Sequence, residues 1–232
     1  MTSPFSLYRG DCTAVLPTLP EGSVDLVITD PPYVCRYRDR TGRQVANDDN
    51  PTWIAPAFRE TFRVMRPGSL CVSFYGWQHV EAFMRAWKDA GLVPVGHLVW
   101  PKGYASRTGF LAARHEQAFL LAKGSPPLPA VPISDVQPWT YSGNTLHPTQ
   151  KAVSILEPLI ATFSRRGHTV LDPFAGSGST GVACARLDRR FIGVELEEAH
   201  HATAASRLAA AYRQRAVSQL RPWFGMQTVE PA

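Results

Sequence analysis

The sequence predicts an α/β fold in which helices cover both faces of a doubly wound, mostly parallel sheet. Short segments rich in apolar and β-branched residues alternate with segments of helical period along most of the chain. A glycine-rich turn at 176–181 joins one strand segment to a helical one, as in open sheets that bind ligands at their carboxyl edge. The length of 232 residues, with no clean linker or internal repeat, favours a single domain over residues 1–232.

The first part of the chain is predicted to contain five strands and two helices. The strands are expected near residues 6–8, 24–29, 70–74, 97–100 and 118–121. The first helix has apolar residues at helical spacing from Ile54 to Met65, and Pro67-Gly68 is expected to end it. The second helix extends from Val80 to Trp87 and is expected to end at Gly91.

The second part begins with a stretch that lacks regular structure. Residues 124–148 carry six prolines and little periodicity, which predicts an ordered loop or a small insertion. The alternation of helices and strands then resumes. The predicted elements are a helix at 155–163, a strand at 169–171, a helix at 180–187, a strand at 191–194 and a helix from Glu197 to about Arg213.

Composition excludes several classes of protein. Hydrophobic residues make up 44% of the chain, but no apolar run approaches the roughly 20 residues that span a bilayer, so we expect no membrane protein. The four cysteines lie far apart, which predicts neither a disulfide framework nor a metal site. A reduced, cytoplasmic protein without a secretion signal is the expectation. The net charge of +5, with 20 Arg among 24 basic residues, weakly favours a phosphate-rich partner.

The glycine-rich turn predicts a cofactor site. Gly176, Gly178 and Gly181 follow a strand and open a helix, so backbone N–H groups can approach a bound ligand. Glu195 lies 19 residues after Gly176 at the end of the next strand, where a carboxylate can accept ribose hydroxyls. These residues indicate a nucleotide-like cofactor; a nicotinamide or flavin nucleotide and a tight turn without a ligand are the alternatives. No Gly-Lys-Ser/Thr ending follows, which disfavours a nucleoside triphosphate.

An acidic residue stands at the strand end before the glycines. Asp172-Pro173 occupies the point at which a dinucleotide fold brings in its first glycine. A carboxylate at this point suits a ligand with a positive charge. S-adenosylmethionine combines adenosine with a cationic amino-acid tail, and it therefore fits both Glu195 and Asp172.

A second motif, Asp30-Pro31-Pro32-Tyr33, directly follows the predicted strand at 24–29. The two prolines fix φ at successive positions and remove two N–H donors, which leaves a stiff turn with bare carbonyl acceptors. An acid, a carbonyl and an aromatic face are what the exocyclic amino group of a planar base requires. A loop that only ends the strand, with Tyr33 used in packing, is the alternative.

Together these motifs resemble a known family, the amino-group DNA methyltransferases of the permuted β class. The resemblance rests on residues 30–33, 147–151 and 172–180, in that order, and extends from Leu7 to about Leu208. It implies a Rossmann-like, class I methyltransferase fold in which the catalytic motif precedes the cofactor motif. It also implies S-adenosylmethionine as the cofactor, in preference to nicotinamide.

The resemblance implies a catalytic role for the Asp-Pro-Pro-Tyr turn. Asp30 and the Pro31 carbonyl would bind the target amino group, Pro32 would stiffen the turn, and Tyr33 would stack on the flipped base. Asp30 would also border the cofactor. Ala152 and Ser179 depart from the family pattern without replacing a side chain that is assigned to chemistry.

The same resemblance implies a set of cofactor contacts. Asp11 would contact the adenine, with Cys12 in the same site, and Glu195 would bind the ribose. Thr149 and Lys151 would hold the methionine carboxylate, which suits an ammonium group by charge alone. The residues that would line the methionine part are Asp172, Phe174, Gly176 and Gly178.

The expected reaction is transfer of a methyl group to adenine N6 in duplex DNA by base flipping and direct in-line attack. In the family, an initial Asp in the catalytic turn favours adenine N6 and an initial Ser favours cytosine N4, so cytosine N4 is the alternative. Carbon-5 methylation would need a Cys nucleophile after Pro, and the chain contains no Pro-Cys pair. An idle DNA-binding module and a nicotinamide oxidoreductase are the competing classes.

Two segments are predicted to contact DNA. A loop at about 34–52 carries four arginines, and we expect it to move and to close on phosphates or base edges. A target-recognition insertion is expected at about 101–146. The predicted DNA contacts are Arg36, Arg38, Arg40, Arg43, Lys102 and Arg107. Glu116 is expected to have a structural hydrogen-bonding role, and the family resemblance also allows a homodimer.

Overall fold

A seven-stranded, mostly parallel sheet forms the centre of the protein. The computed structural model describes residues 3–38, 42, 44–143, 146 and 149–224, without the side chains of Arg107 and of 219–224. The strands are β1 (Phe5–Arg9), β2 (Val24–Thr29), β3 (Met65–Phe74), β4 (Val93–Pro101), β5 (Arg107–Thr108), β6 (Ala112–Ala113), β7 (His115–Lys123), β8 (Thr169–Asp172) and β9 (Arg190–Glu195). The order in the large sheet is β1-β9-β8-β2-β3-β7-β4, and β5 pairs with β6 in a separate hairpin.

Helices cover both faces of this sheet. They are α1 (Cys12–Val15), α2 (Ile54–Val64), α3 (Val80–Ala90), α4 (Val153–Phe163), α5 (Ser179–Arg186) and α6 (Glu198–Phe224). One apolar cluster joins α4, α5 and α6 to Leu26 and Ile28 of β2, and the other joins α1, α2 and α3 to Val27 of the same strand. Because successive side chains of a strand point to opposite faces, β2 contributes to both clusters. The predicted doubly wound α/β class is thus confirmed.

Strand direction decides where the connecting turns lie. Five strands, from β1 through β9, β8 and β2 to β3, are mutually parallel, and β7 is antiparallel to both β3 and β4. The carboxyl ends of β1, β2, β3, β4, β8 and β9 therefore lie at one edge, where β7 begins. We call this edge the carboxyl edge.

The end of α2 differs from the prediction. The helix ends at Val64, and Pro67-Gly68 lie inside β3 rather than at the helix end. Proline disfavours helical geometry at the preceding residue, Arg66, so the chain becomes extended before it reaches Pro67. Lys123 also binds the helix end, because its Nζ donates to the carbonyls of Phe62 (2.7 Å) and Met65 (2.8 Å).

Other element boundaries agree more closely with the predictions. Strand β2 has the predicted bounds, and Gly91 ends α3 in the left-handed region at φ 98°. Helix α6 continues to Phe224, beyond the predicted end near Arg213. In the predicted loop at 124–148, the described residues 124–143 and 146 contain no helix or strand, and they pair with the sheet at one bridge, between Val136 and Val99. Among the described residues, no helix has both the length and the apolar character needed to cross a membrane.

Candidate active site

The Asp-Pro-Pro-Tyr turn lies at the carboxyl edge, directly after the central strand β2. Tyr33 folds back over the turn, and its hydroxyl donates to Oδ1 of Asp30 at 2.8 Å. The Nζ of Lys151 donates to Oδ2 of Asp30 at 2.7 Å and lies 5.6 Å from the centre of the Tyr33 ring. Both oxygens of the Asp30 carboxylate therefore have a fixed donor.

A second ion pair adjoins the first. Lys102 follows β4, and Glu116 is the second residue of β7, its partner in the neighbouring strand being Trp100. The Nζ of Lys102 donates to Oε1 of Glu116 at 2.7 Å, and the Tyr33 hydroxyl lies 3.4 Å from Oε2 of the same carboxylate. We call Asp30, Tyr33, Lys102, Glu116 and Lys151 the charge cluster. It contains two ammonium groups and two carboxylates, so its charges balance.

The charge cluster changes the titration of its members. Burial raises the pKa of the Asp30 carboxyl, although Lys151 opposes this shift. Burial alone would lower the pKa of Lys151, but the carboxylates of Asp30 and Glu116 together raise it. Burial likewise opposes the ionisation of Glu116, yet Lys151 and Lys102 lower its pKa. Burial and both carboxylates raise the pKa of Tyr33 well above its ordinary range, so its hydroxyl remains a donor at neutral pH.

The glycine-rich turn lies beside the Asp-Pro-Pro-Tyr turn, because β8 is the neighbour of β2. Gly176 and Gly178 have φ values of 51° and 81°, in the left-handed region that favours glycine. A Cβ on Gly178 would lie 3.0 Å from the Cβ of Ala204 in α6. The two glycines thus let the chain turn tightly from β8 into α5 against α6.

Asp172 is held rigidly at the start of this turn. Its Oδ2 accepts from the Thr180 hydroxyl at 2.6 Å and its Oδ1 accepts from the Phe174 N–H at 3.1 Å. Burial raises the pKa of the Asp172 carboxyl to about 7. The Phe174 ring packs edge-on against Trp53 at 4.9 Å between centroids.

Glu195 and Asp11 occupy the ends of the next two strands. Glu195 accepts from the N–H groups of Gly176 and Glu197, each at 2.8 Å, so its carboxylate ties β9 to the glycine-rich turn. Asp11 caps α1 by accepting from the N–H of Thr13 at 2.8 Å. Burial raises the pKa of the neighbouring Cys12 to about 12, so this thiol is a small neutral group.

The residues at the carboxyl edge fit the predicted cofactor by their chemistry. The four carboxylates of Asp11, Glu195, Asp172 and Asp30 follow the adjacent strands β1, β9, β8 and β2 in that order. Such a row suits a ligand with hydroxyl donors at one end and a cationic tail at the other. Lys151 stands at the tail end, and Thr149 lies two residues before it. No group of three metal-ligating side chains occurs within the described parts of the chain.

The predicted DNA contacts are only partly described. Arg36 and Arg38 are exposed, whereas Arg40 and Arg43 lie outside the described residues, and so does the side chain of Arg107. The start of the loop is ordered by the buried carboxylate of Asp48, which accepts from the N–H of Tyr37 at 2.6 Å.

Lys102 differs from the other predicted DNA contacts. Only 3% of its side chain is exposed, and its Nζ is engaged by Glu116. This position favours a role inside the charge cluster over the direct phosphate contact that the sequence predicted. Conversely, Glu116 lies in the charge cluster beside Tyr33, a position that the sequence did not predict. Its position depends on the antiparallel pairing of β7 with β4, which no sequence motif indicated.

A sheet that brings an Asp-Pro-Pro-Tyr turn beside a glycine-rich cofactor turn defines an amino-group methyltransferase. The family model of N6/N4 DNA methylases matches residues 24–206, and the chain belongs to this family. The protein named "Putative methylase YubD" of Escherichia coli (strain K12) is 51% identical over 211 residues, which cover 91% of this chain and 92% of that protein.

Solved structures share the fold. The complex of M1.HpyAVI with SAM is 24% identical and superimposes with a TM-score of 0.69, covering 88% of this chain and 98% of that one. The PvuII DNA methyltransferase, described as cytosine-N4-specific, is 18% identical with a TM-score of 0.74 and 93% coverage of both chains. The family uses S-adenosylmethionine, and its members methylate either of two amino groups.

The contribution of the ion pair between Lys102 and Glu116 can be tested by measuring the free energy of unfolding of variants. Replacing Glu116 with Gln leaves the Lys102 ammonium buried without a counter-charge, so we expect the free energy of unfolding to fall by about 1–3 kcal/mol. Adding Lys102→Met to Glu116→Gln removes that charge and should restore part of the loss. Urea unfolding of the two single variants and of the double variant measures the coupling.

Glu198→Gln is the matched control, because Glu198 pairs with Arg9 at the surface with both side chains exposed. Its free energy of unfolding should remain within about 0.5 kcal/mol of the parent. Strict additivity of the Glu116 and Lys102 changes would contradict the coupling.

The raised pKa of Asp172 predicts a pH-dependent affinity for the cofactor. In the free protein the carboxyl is protonated below pH 7, and a cationic ligand favours its ionised form. Affinity for S-adenosylmethionine should therefore rise between pH 5.5 and 7.5, by up to about tenfold per unit, with release of a proton. Calorimetry in two buffers of different ionisation enthalpy measures both effects.

Asp172→Asn serves as the control for this experiment, because it removes the titrating group and keeps the shape. It should bind more weakly and show no rise over the same pH range. An equal rise in the parent and in Asp172→Asn would assign the titration to another group.

Proposed function

We propose that the protein transfers the methyl group of S-adenosylmethionine to the N6 amino group of adenine in duplex DNA. The observation that carries this proposal is the position of the Asp30 carboxylate, which lies in the charge cluster at the carboxyl edge, beside the glycine-rich turn. A rigid acceptor next to the cofactor is what the amino group of a base requires.

Asp30 and the Pro31 carbonyl act on the amino group of the base. The lone pair of this nitrogen is delocalised into the ring, which makes it a poor nucleophile. Two N–H hydrogen bonds, one to each acceptor, favour a pyramidal nitrogen with a free lone pair. An ionised carboxylate has about four lone-pair sites, so Asp30 can accept this bond while Tyr33 and Lys151 also donate to it.

Lys151 connects the base to the cofactor. An ammonium group has three donors, so the bonds to Oδ2 of Asp30 and to the Tyr33 hydroxyl at 3.4 Å leave one for the carboxylate of the methionine part. When bound, S-adenosylmethionine supplies a methyl group that is activated by the positive sulfur. The protein then contributes by positioning and electrostatics and forms no covalent bond to the base.

The choice of adenine over cytosine rests on the acid at the head of the turn, because Asp in this position is associated with adenine N6 in the family. Cytosine N4 is the second candidate, since the PvuII enzyme shares the fold and is described as cytosine-N4-specific. Arg36 and Arg38 are exposed beside the catalytic turn, which supports a phosphate contact of the loop at 34–52.

Nucleoside analysis tests the proposal directly. The protein is incubated with labelled S-adenosylmethionine and unmethylated duplex DNA, and the DNA is digested to nucleosides. We expect the label in N6-methyladenine. Label in N4-methylcytosine alone would overturn the base assignment, and unlabelled DNA would overturn the function.

Asp30→Asn should lower the methylation rate by about 100-fold or more, because one of the two acceptors loses its charge. Asp89→Asn is the matched control, since Asp89 is exposed near the end of α3, away from the carboxyl edge. It should retain the parent rate. Full activity of Asp30→Asn would contradict the role of the turn.

A further inference from the structure

A small hairpin projects from the carboxyl edge with an apolar tip. Strands β5 and β6 pair between the end of β4 and the start of β7, with Arg107 opposite Ala113 and Thr108 opposite Ala112. The tip is Gly109-Phe110-Leu111, closed by a hydrogen bond from the Gly109 N–H to the Leu111 carbonyl at 3.1 Å. Phe110 has 110% and Leu111 has 83% of their full reference exposure.

Two adjacent side chains of this size are costly to leave in water. Burial of each would stabilise the protein by about 1.5–3 kcal/mol, and neither Phe110 nor Leu111 belongs to the two apolar clusters of the core. Contiguous exposed apolar side chains mark interaction sites, whereas single ones need no explanation. The exposure of Phe110 and Leu111 therefore indicates that the tip contacts a partner.

The base of the hairpin is attached to the charge cluster. The Lys102 N–H donates to the Arg114 carbonyl at 2.7 Å, and the Ser106 N–H donates to the Ala113 carbonyl at 2.9 Å. The Nζ of Lys102 donates to the Ser106 hydroxyl at 3.0 Å as well as to Glu116. Because Glu116 also contacts Tyr33, a short series of bonds fixes the tip relative to the catalytic turn.

The charge of the hairpin indicates the class of partner. Residues 103–115, which form the hairpin and its flanks, contain two arginines, Arg107 and Arg114, and no acidic residue. Arg114, at the foot of the hairpin, is exposed and donates to the Gly103 carbonyl at 3.2 Å. An apolar tip on a hairpin that carries arginines and no acidic residue suits the stacked bases and flanking phosphates of duplex DNA.

A reaction at an amino group of paired adenine creates a need for such a tip. The base must leave the stack before Asp30 can reach its amino group, and unstacking costs a few kcal/mol. Apolar side chains inserted between base steps hold a duplex in a distorted form. We propose that Phe110 and Leu111 form a wedge that enters the duplex and stabilises it while the target base is outside the stack. This inference rests on the proposed function.

The test compares two duplexes that differ in the cost of base extrusion. Both contain a sequence that the parent protein methylates, and in one of them the target base faces an abasic site. The double variant Phe110→Ala/Leu111→Ala should lose about tenfold or more of kcat/KM on the paired duplex. On the abasic duplex it should remain within about threefold of the parent, because the target base there leaves the stack easily. Its affinity for S-adenosylmethionine should be unchanged.

Val93→Ala is the matched control. Val93 is 54% exposed and begins β4, so it lies at the edge of the sheet opposite the carboxyl edge and outside both predicted DNA-contact segments. It should methylate both duplexes at the parent rate.

Three outcomes would overturn the wedge. The first is unchanged activity of the double variant on the paired duplex, and the second is an equal loss of activity on both duplexes. The third is a change from dimer to monomer in sedimentation, which would assign the tip to contact with a second copy of the chain. If the parent methylates no DNA, the proposed function fails and the wedge fails with it. If the parent is active and the double variant equals it, only the wedge fails.

Discussion

The ion pair between Lys151 and Asp30 is the contact on which the arrangement of the site depends. It joins two residues that are 121 positions apart, one at the end of the central strand β2 and the other just before α4. Its ammonium group opposes the effect of burial on the Asp30 carboxyl, and the same group faces Glu116. The Asp-Pro-Pro-Tyr turn, Asp172 before the glycine-rich turn and the second ion pair thus share one electrostatic environment, in which a change at one member alters the others.

Close backbone packing makes this arrangement rigid. A Cβ on Gly76, in the turn after β3, would lie only 2.6 Å from the Tyr33 carbonyl oxygen. The turn after β3 therefore supports the Asp-Pro-Pro-Tyr turn directly, and only glycine allows this approach. On the other side, Asp172 and Glu195 both bind backbone N–H groups of the glycine-rich segment. The turn after β3 thus holds the Asp-Pro-Pro-Tyr turn on one side. On the other side, the bonds of Asp172 and Glu195 hold the glycine-rich segment.

Those parts of the site that lie in short segments could be predicted from the sequence. The Asp30 turn, the glycine-rich turn and Glu195 each follow a strand whose pattern is readable over a few residues. The place of Glu116 could not be predicted in the same way, because it depends on the antiparallel pairing of β7 with β3 and β4. The burial of Lys102 depends on that pairing too. Helix α2 ends before the predicted stop at Pro67-Gly68, since the bonds of Lys123 across the sheet help to end the helix at Val64.

Direct titration of Lys151 tests the central ion pair. The chain has only four lysines, so carbon-13 labelling of their side chains gives four resolvable NMR signals, and Lys151→Arg identifies one of them. In the parent, the pKa of Lys151 should lie above the ordinary lysine value of about 10.4, because the carboxylates of Asp30 and Glu116 favour its charged form. Asp30→Asn should lower it. A Lys151 pKa at or below the ordinary value, unchanged in Asp30→Asn, would contradict the account.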